Sequence, residues 1–256
     1  GKDMAPAKRK RRAPAGPNIA FETVGRQRLR AAVWKGNGAG RPLLFFNGIG
    51  VNLELAAPLH AAMPERDLIT FDMPGIGLSP GPRIPYRPWW AAHAAAKILD
   101  RYGYFDKVDV MGVSWGGLVA QQFAFQSAQR VNRLVLAATS PGALMIPGDL
   151  GVWSRLLDPR SFFDAEALTR GFAGLFGEQD GLPKGLAAKF RLPLPSGYGA
   201  QVLAMTAWSS LPFLRFIAAP TLVTMGDRDR VVPLLNGRIL NALIPKSRLH
   251  VVKDAG

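Results

Sequence analysis

The sequence predicts an α/β domain: a mainly parallel sheet with helices on both faces and a helical lid insertion. Three observations carry that prediction. Short apolar runs alternate along the chain with segments of helical periodicity, the pattern of strands buried between two helical layers. A Gly-x-Ser-x-Gly pattern falls where one such run gives way to a helix. One long interval, from Pro141 to about Phe216, breaks the alternation.

Taken in order, the first 17 residues, "GKDMAPAKRKRRAPAGP", are rich in Pro and Ala and hold Lys2, Lys8, Arg9, Lys10, Arg11 and Arg12 against Asp3, +5 of the formal net charge of +14. Such a segment cannot bury enough apolar surface to offset its ordering entropy and is expected to be a disordered basic tail. It reads either as an electrostatic tether to phosphate or lipid head groups, with nucleic acid or an anionic granule surface as partner, or as a solubilising tail. Alternation in "IAFETVGRQRLRAAVWKG" then predicts two short strands around Gly25. The runs Leu43 to Gly48, Asp67 to Asp72, Val108 to Ser114, Asn132 to Thr139, Thr221 to Asp227 and Arg248 to Asp254 read as strands buried on both faces. Pro88 opens a helix at a position that needs no amide donor, and the pattern carries it to Gly103. Further helices are expected from Trp115 to about Gln129 and from about Pro233 to Leu243. The domain is therefore expected over residues 18–256, with a core at 18–140 and 217–256. The interval 141–216 has no clear strand and helical pieces rich in Leu, Phe and Trp. Ligands of open α/β sheets sit at the carboxyl ends of the strands, so an insertion leaving a strand there roofs the site, with Trp153 and Trp208 as contributors; the other reading is an extra packing layer.

Composition bounds the chemistry. At 48% hydrophobic residues over 256 positions, the chain suits one globular domain with an insertion. It has no cysteine, which excludes a disulfide framework, a thiolate nucleophile and a Cys-type zinc site. With no apolar run of spanning length and no signal-peptide pattern, it is expected to be soluble and cytoplasmic.

The covalent nucleophile must then be a hydroxyl, carboxylate or amine, and "VDVMGVSWGGLVAQQFA" offers Ser114. At a sharp strand-to-helix turn a serine is held in a strained conformation, so its neighbours two residues away must be small, as Gly112 and Gly116 are. Gly117 lets the helix lie close to the sheet, and the helix N-terminus faces developing negative charge. A hydroxyl needs a base to remove its proton and a third group to orient that base. In elbows of this type the chain order is serine, acid, histidine. Asp229, in "TLVTMGDRDRVVP", is the candidate acid, with Asp227 second. The oxyanion needs two backbone donors: the amide of Trp115, after the nucleophile, and that of Ile49 in "FFNGIGVN", where Gly48 and Gly50 permit close approach. His60 and His93 precede the acid and lie in helical patterns, and His250 is inside the last strand. None stands where the base is needed.

These residues resemble the α/β-hydrolase superfamily, and within it the intracellular medium-chain-length poly(3-hydroxyalkanoate) depolymerases. The resemblance is carried by "FNGIGVNLEL", "FDMPGIGLSPGPRIPYR", "GVSWGGLVAQQFAF", "LVLAATSPGALMIPG" and "PTLVTMGDRDRVVPL" and runs from about Ile19 to Gly256. Most relatives have His-Gly where this chain has Asn47-Gly48. The resemblance implies Ser114 as nucleophile and Asp229 as acid, and no metal or organic cofactor. It implies ester hydrolysis of a 3-hydroxyacyl polymer through an acyl-enzyme, on or near storage granules. The family's histidine follows a D-x-G-H turn; Asp254-Ala255-Gly256 matches the turn, so the sequence is expected to stop one residue short of the base and to be truncated. Two alternatives stand beside this reading: a small-molecule carboxylesterase of the same fold, and a catalytically dead granule- or nucleic-acid-binding protein. A carboxylate-nucleophile dehalogenase or epoxide hydrolase is disfavoured by the serine, and a polymer synthase by the lack of cysteine.

Overall fold

The computed structural model describes residues 15–143, 145–158 and 185–256. The expectation for the basic tail therefore lies outside the described residues except at its last three positions, as does the lid expectation at Leu144 and at 159–184.

Eight strands form one sheet: β1 (Asn18–Val24), β2 (Gln27–Trp34), β3 (Leu43–Phe46), β4 (Leu68–Phe71), β5 (Val108–Val113), β6 (Val131–Ala137), β7 (Thr221–Gly226) and β8 (Ser247–Val252). Their order is β1-β2-β4-β3-β5-β6-β7-β8. Only β2 runs antiparallel to its neighbours; every other pair is parallel. The expected hairpin is present: Val24 pairs with Gln27, and Gly25 takes φ of 60° in the two-residue turn between them, a conformation open to glycine without cost. From β3 the chain moves outward to β4, then crosses back to β5 on the other side of β3. This reversal opens a crevice at the carboxyl ends of β3 and β5. Phe46 pairs with Gly112, so the two loops leave the sheet side by side.

The helices are α1 (Ala57–Ala62), α2 (Pro88–Arg101), α3 (Trp115–Gln126), α4 (Leu150–Leu156), α5 (Pro195–Met205) and α6 (Leu234–Leu243). Small residues on α2, Ala91, Ala92, Ala94 and Ala95, are fully buried in the main core with Val119, Ala120 and Phe123 of α3. The α2 C-terminus closes as a Schellman motif: Tyr104 N–H donates to Leu99 O and Gly103 N–H to Asp100 O, with Gly103 at φ of 78°. α1 and the 3-10 turn Leu53–Ala56 cover the opposite face beside Leu43, Phe45 and Leu68.

Two sequence expectations need correction. Helix α3 ends at Gln126 rather than Gln129, because Ser127 leaves the helical region and a 3-10 turn, Ala128–Arg130, delivers the chain to β6. Arg130 there is tied to Asp100 at 2.7 Å and to Tyr104 O. Burial on both faces holds fully for β3 and β4 only. β7 exposes Leu222 at 40%, and β8 alternates, with Arg248, His250 and Val252 exposed. The reason is coverage: α6 packs on the face of Val223, Met225 and Leu249, and the opposite face of these two strands meets solvent.

Within 141–216 the described residues form α4 and α5, short 3-10 turns and one isolated bridge, Gly142 to Ser209. No helix among the described residues is long and apolar enough to cross a membrane.

Candidate active site

Ser114 follows β5 directly and caps α3 with φ of 52° and ψ of −119°, outside every basin comfortable for a residue with a Cβ. The surroundings hold it there. Its N–H donates to Ala137 O and its carbonyl accepts from Gly117 N–H, both at 2.9 Å, and from the Thr139 hydroxyl at 2.7 Å. The glycines make the turn sterically feasible. A Cβ on Gly112 would lie 2.3 Å from Gly116 O, and one on Gly116 only 2.2 Å from Phe46 O. At Gly117 the obstacle is Thr139, 2.3 Å away, so this glycine seats the helix against the loop after β6. The Ser114 hydroxyl has no hydrogen-bond partner among the described residues.

The loop after β3 passes beside this turn: a Cβ on Gly48 would lie 3.9 Å from Ser114 Cβ. Gly48 to Val51 form a tight turn, with Val51 N–H donating to Gly48 O at 3.3 Å and Gly50 at φ of 72°. Ile49 and Trp115, the predicted oxyanion donors, both line the cavity that holds Ser114. Neither backbone N–H has a protein acceptor among the described residues, so both are available to a ligand.

A buried ionic network underlies this loop. Arg30 Nε donates to Asp72 Oδ2 at 2.7 Å, and its other nitrogens pair with Glu54 at 2.8 Å. Asp72 Oδ1 accepts from Leu53 N–H, and Ser79 bridges Arg30 N–H and the Asp72 carbonyl. Burial pushes the Asp72 carboxyl up to about 6 against the opposing pull of Arg30. Glu54, under the Arg30 and Asn52 hydrogen bonds that outweigh its burial, lies below the ordinary carboxylate value. Asn52 extends the network into the insertion, donating to Lys189 O and accepting from Arg191 N–H, both at 2.9 Å.

Asp229 is half-buried in the loop after β7. Its Oδ1 accepts from Val231 N–H and Val232 N–H, each at 2.8 Å, while Oδ2 has no partner among the described residues. Burial raises its pKa above the ordinary value, opposed by the two amide hydrogen bonds. Asp227 is exposed. Of the histidines, His60 is buried under Trp34 with Nε2 3.1 Å from Arg66 O, and His93 and His250 are exposed on α2 and β8; none lines the cavity. The Asp254-Ala255-Gly256 turn lies against the Asp229 loop: Arg228 N–H donates to Ala255 O at 2.9 Å, and Arg228 pairs with Asp254 at 2.6 Å.

The cavity, about 320 Å³, is lined by Ser114 and Trp115 together with Leu156, Leu157, Tyr198 and Met205 of the insertion. Of the two predicted tryptophans, Trp153 lines it, its indole N–H donating to Val231 O at 2.9 Å. Trp208 does not. Its indole N–H is drawn to Gln122 at 2.9 Å and its ring packs on Phe213, which places it in the core. Thr139, Tyr198 and Met205 were not anticipated as lining residues. Thr139 is recognisable as the end of the "LVLAAT" run, but nothing in the Leu-rich insertion sequence distinguishes Tyr198 and Met205 from packing residues.

The sequence profile of the alpha/beta hydrolase fold matches residues 41–256. A poly(3-hydroxyalkanoate) depolymerase from Ectopseudomonas oleovorans is 42% identical over 241 residues, 91% of this chain and 85% of that protein. A 2-hydroxy-6-oxo-2,4-heptadienoate hydrolase from Pseudomonas putida is 32% identical, covering 86% of this chain and 83% of that protein. Among solved structures, a hydrolase from Pseudomonas aeruginosa superposes with a TM-score of 0.76 at 25% identity, over 93% of this chain and 91% of that one. An esterase from Exiguobacterium antarcticum, at 21% identity and a TM-score of 0.75 over 93% of this chain and 90% of that one, shares the fold. With the profile spanning most of the chain and the strand order, elbow and crevice in agreement with it, the protein belongs to the α/β-hydrolase family, and its sequence is similar to that of a poly(3-hydroxyalkanoate) depolymerase.

Proposed function

We propose that the chain is a serine ester hydrolase that cleaves the ester bonds of a poly(3-hydroxyalkanoate) through an acyl-enzyme. The observation that carries this reading is the strained Ser114 facing a largely apolar cavity beside two backbone N–H groups without acceptors among the described residues. Ser114 Oγ would attack the ester carbonyl carbon while its proton passes to a base. The carbonyl oxygen becomes an anion between the Ile49 and Trp115 amides, donors whose places in a tight turn and at a helix start would make them cost no reorganisation. Collapse expels the 3-hydroxyl end of the neighbouring unit, which takes the proton. Water then attacks the acyl-serine by the same steps in reverse roles, releasing a carboxylic acid and Ser114.

Asp229 suits the part of the acid, with one oxygen fixed by two amides and the other, without a partner among the described residues, able to orient a base. A histidine joined after Gly256 would emerge beside Arg228 and within reach of this loop, the position to which the D-x-G-H resemblance points. The apolar lining from Leu156, Leu157 and Met205 suits the alkyl side chain of a medium-chain 3-hydroxyacyl unit, and the 42% identity to a depolymerase supports the polyester over an unrelated ester. In this reading the insertion 141–216 serves as lid and as docking face, and the enzyme works at storage granules.

The test compares Ser114-dependent release of 3-hydroxyoctanoate from oligomers with hydrolysis of p-nitrophenyl acetate. Preference for the oligomer, lost in Ser114→Ala, is the expected result. Preference for the acetate ester would favour a small-molecule carboxylesterase, and hydrolysis unchanged in Ser114→Ala would remove the serine mechanism.

A further inference from the structure

We infer that Gln201, on the insertion helix α5, is a positioning residue that holds the Ile49 amide in its aim and so couples the insertion to the oxyanion site. The inference rests on the reading of Ile49 and Trp115 as oxyanion donors. Gln201 is 1% exposed. Its side-chain Oε1 accepts from Gly50 N–H at 2.8 Å, and its backbone carbonyl accepts from the Trp115 indole N–H at 2.8 Å. One residue of the insertion thus grips the loop that carries one donor and the side chain of the residue that carries the other.

The turn geometry explains why this grip matters. Ile49 and Gly50 are the two central residues of the turn closed by Val51 N–H and Gly48 O. That closing contact, at 3.3 Å, is longer than an ordinary backbone bond. The Ile49 N–H shares a peptide plane with Gly48 O, so the turn's integrity sets its direction. The central peptide, Ile49 C=O with Gly50 N–H, is the plane that rotates between turn types, and a glycine at the second central position tolerates either state. Gln201 Oε1 holds that plane by its N–H. α5 is itself anchored: Leu194 N–H donates to Gly75 O at 2.9 Å, and a Cβ on Gly197 would meet the Gly75 backbone at 2.5 Å. Gln201 therefore acts from a helix seated on the loop after β4, so the insertion sets the oxyanion turn as well as walling the cavity.

The test uses the 256-residue chain and two ligands, hexylboronic acid and 1-octanol, with affinities read by titration calorimetry. Ser114 Oγ donates an electron pair to the trigonal boron, its proton leaves to solvent, and the resulting tetrahedral boronate anion needs the oxyanion amides. Octanol fills the apolar cavity without forming an adduct. Gln201→Met, close in size but without the acceptor, should weaken the boronate by about tenfold or more and leave octanol binding unchanged. Affinities for both ligands falling together would make Gln201 a packing residue, and neither falling would overturn the inference as well. Ser114→Ala separates the two levels. If it binds the boronate as tightly as the unsubstituted chain, or if the unsubstituted chain does not bind it, the serine and oxyanion reading fails. Ser114-dependent binding that ignores Gln201→Met removes the Gln201 inference alone. A measurement on the unsubstituted chain guards against misfolding of the variant: the Gly50 amide should exchange with solvent about a hundredfold more slowly than a free peptide, and exchange at the free rate would overturn the inference.

Discussion

Replacing Ser114 by glycine should stabilise the protein while removing the proposed nucleophile. The backbone at Ser114, φ of 52° and ψ of −119°, is strained for any residue bearing a Cβ, at a cost of roughly 1–3 kcal/mol. Ser114→Gly and Ser114→Ala both remove a hydroxyl that has no partner among the described residues, so that loss cancels between them. Only glycine removes the Cβ. Against the relief stands the greater freedom of glycine in the unfolded chain, about 0.4–1 kcal/mol. The glycine variant should therefore exceed the alanine variant by roughly 0.5–2 kcal/mol, or about 1–8 °C in midpoint for a chain of this size. Urea and thermal unfolding of the two variants, followed by circular dichroism at equal concentration, read the difference directly. A glycine variant no more stable than the alanine variant would mean that the elbow stores no Cβ strain, and the argument that Gly112 and Gly116 exist to accommodate a strained serine would fall with it.

Two further predictions concern charge. Burial holds the Asp72 carboxyl at about 6 in the folded chain, above its unfolded value of about 3.9. A raised carboxyl favours the folded state fully below the unfolded value and loses that contribution as pH rises through the folded one. The stability of the unsubstituted chain relative to Asp72→Asn should accordingly fall between about pH 4 and 7, by about 2–3 kcal/mol, measured by urea unfolding at a series of pH values; a constant difference would refute the shift. The second prediction follows from the Asp229 loop: joining a histidine to Gly256 should raise Ser114-dependent ester hydrolysis by about a thousandfold, and Asp229→Asn should remove most of that gain. No gain, or a gain indifferent to Asp229, would contradict the proposed relay.

Much of the fold was legible because strands and helices are local patterns. The apolar runs that became β3, β4, β5 and β6 needed only their own residues to be recognised, and Pro88 and Gly103 mark the α2 boundaries by backbone chemistry alone. The elbow was legible for the same reason: its steric requirements fall on Gly112, Ser114 and Gly116, within five positions. Burial was less so. The Leu222 and Val252 runs read as core because they are apolar, but exposure depends on which helix lies over a face, and α6 covers only one. Trp208 was misassigned for a related reason, since the indole partner that draws it into the core, Gln122, is 86 residues away.

By itself the sequence determined the fold class, the order of elements and the serine at the strand-to-helix turn, because each is imposed by interactions among neighbours in the chain. It also singled out Asp229, two residues past Asp227. Tertiary structure decided what those residues face. The Asp229 oxygen and the Ile49 and Trp115 amides left without partners among the described residues, and the exclusion of His60, His93 and His250 from the cavity, are facts of geometry between segments far apart in sequence. So is the link from Gln201 to Gly50 across 151 positions, which no periodicity announces, since a hydrogen bond needs only one donor and one acceptor brought together, and the fold alone brings them.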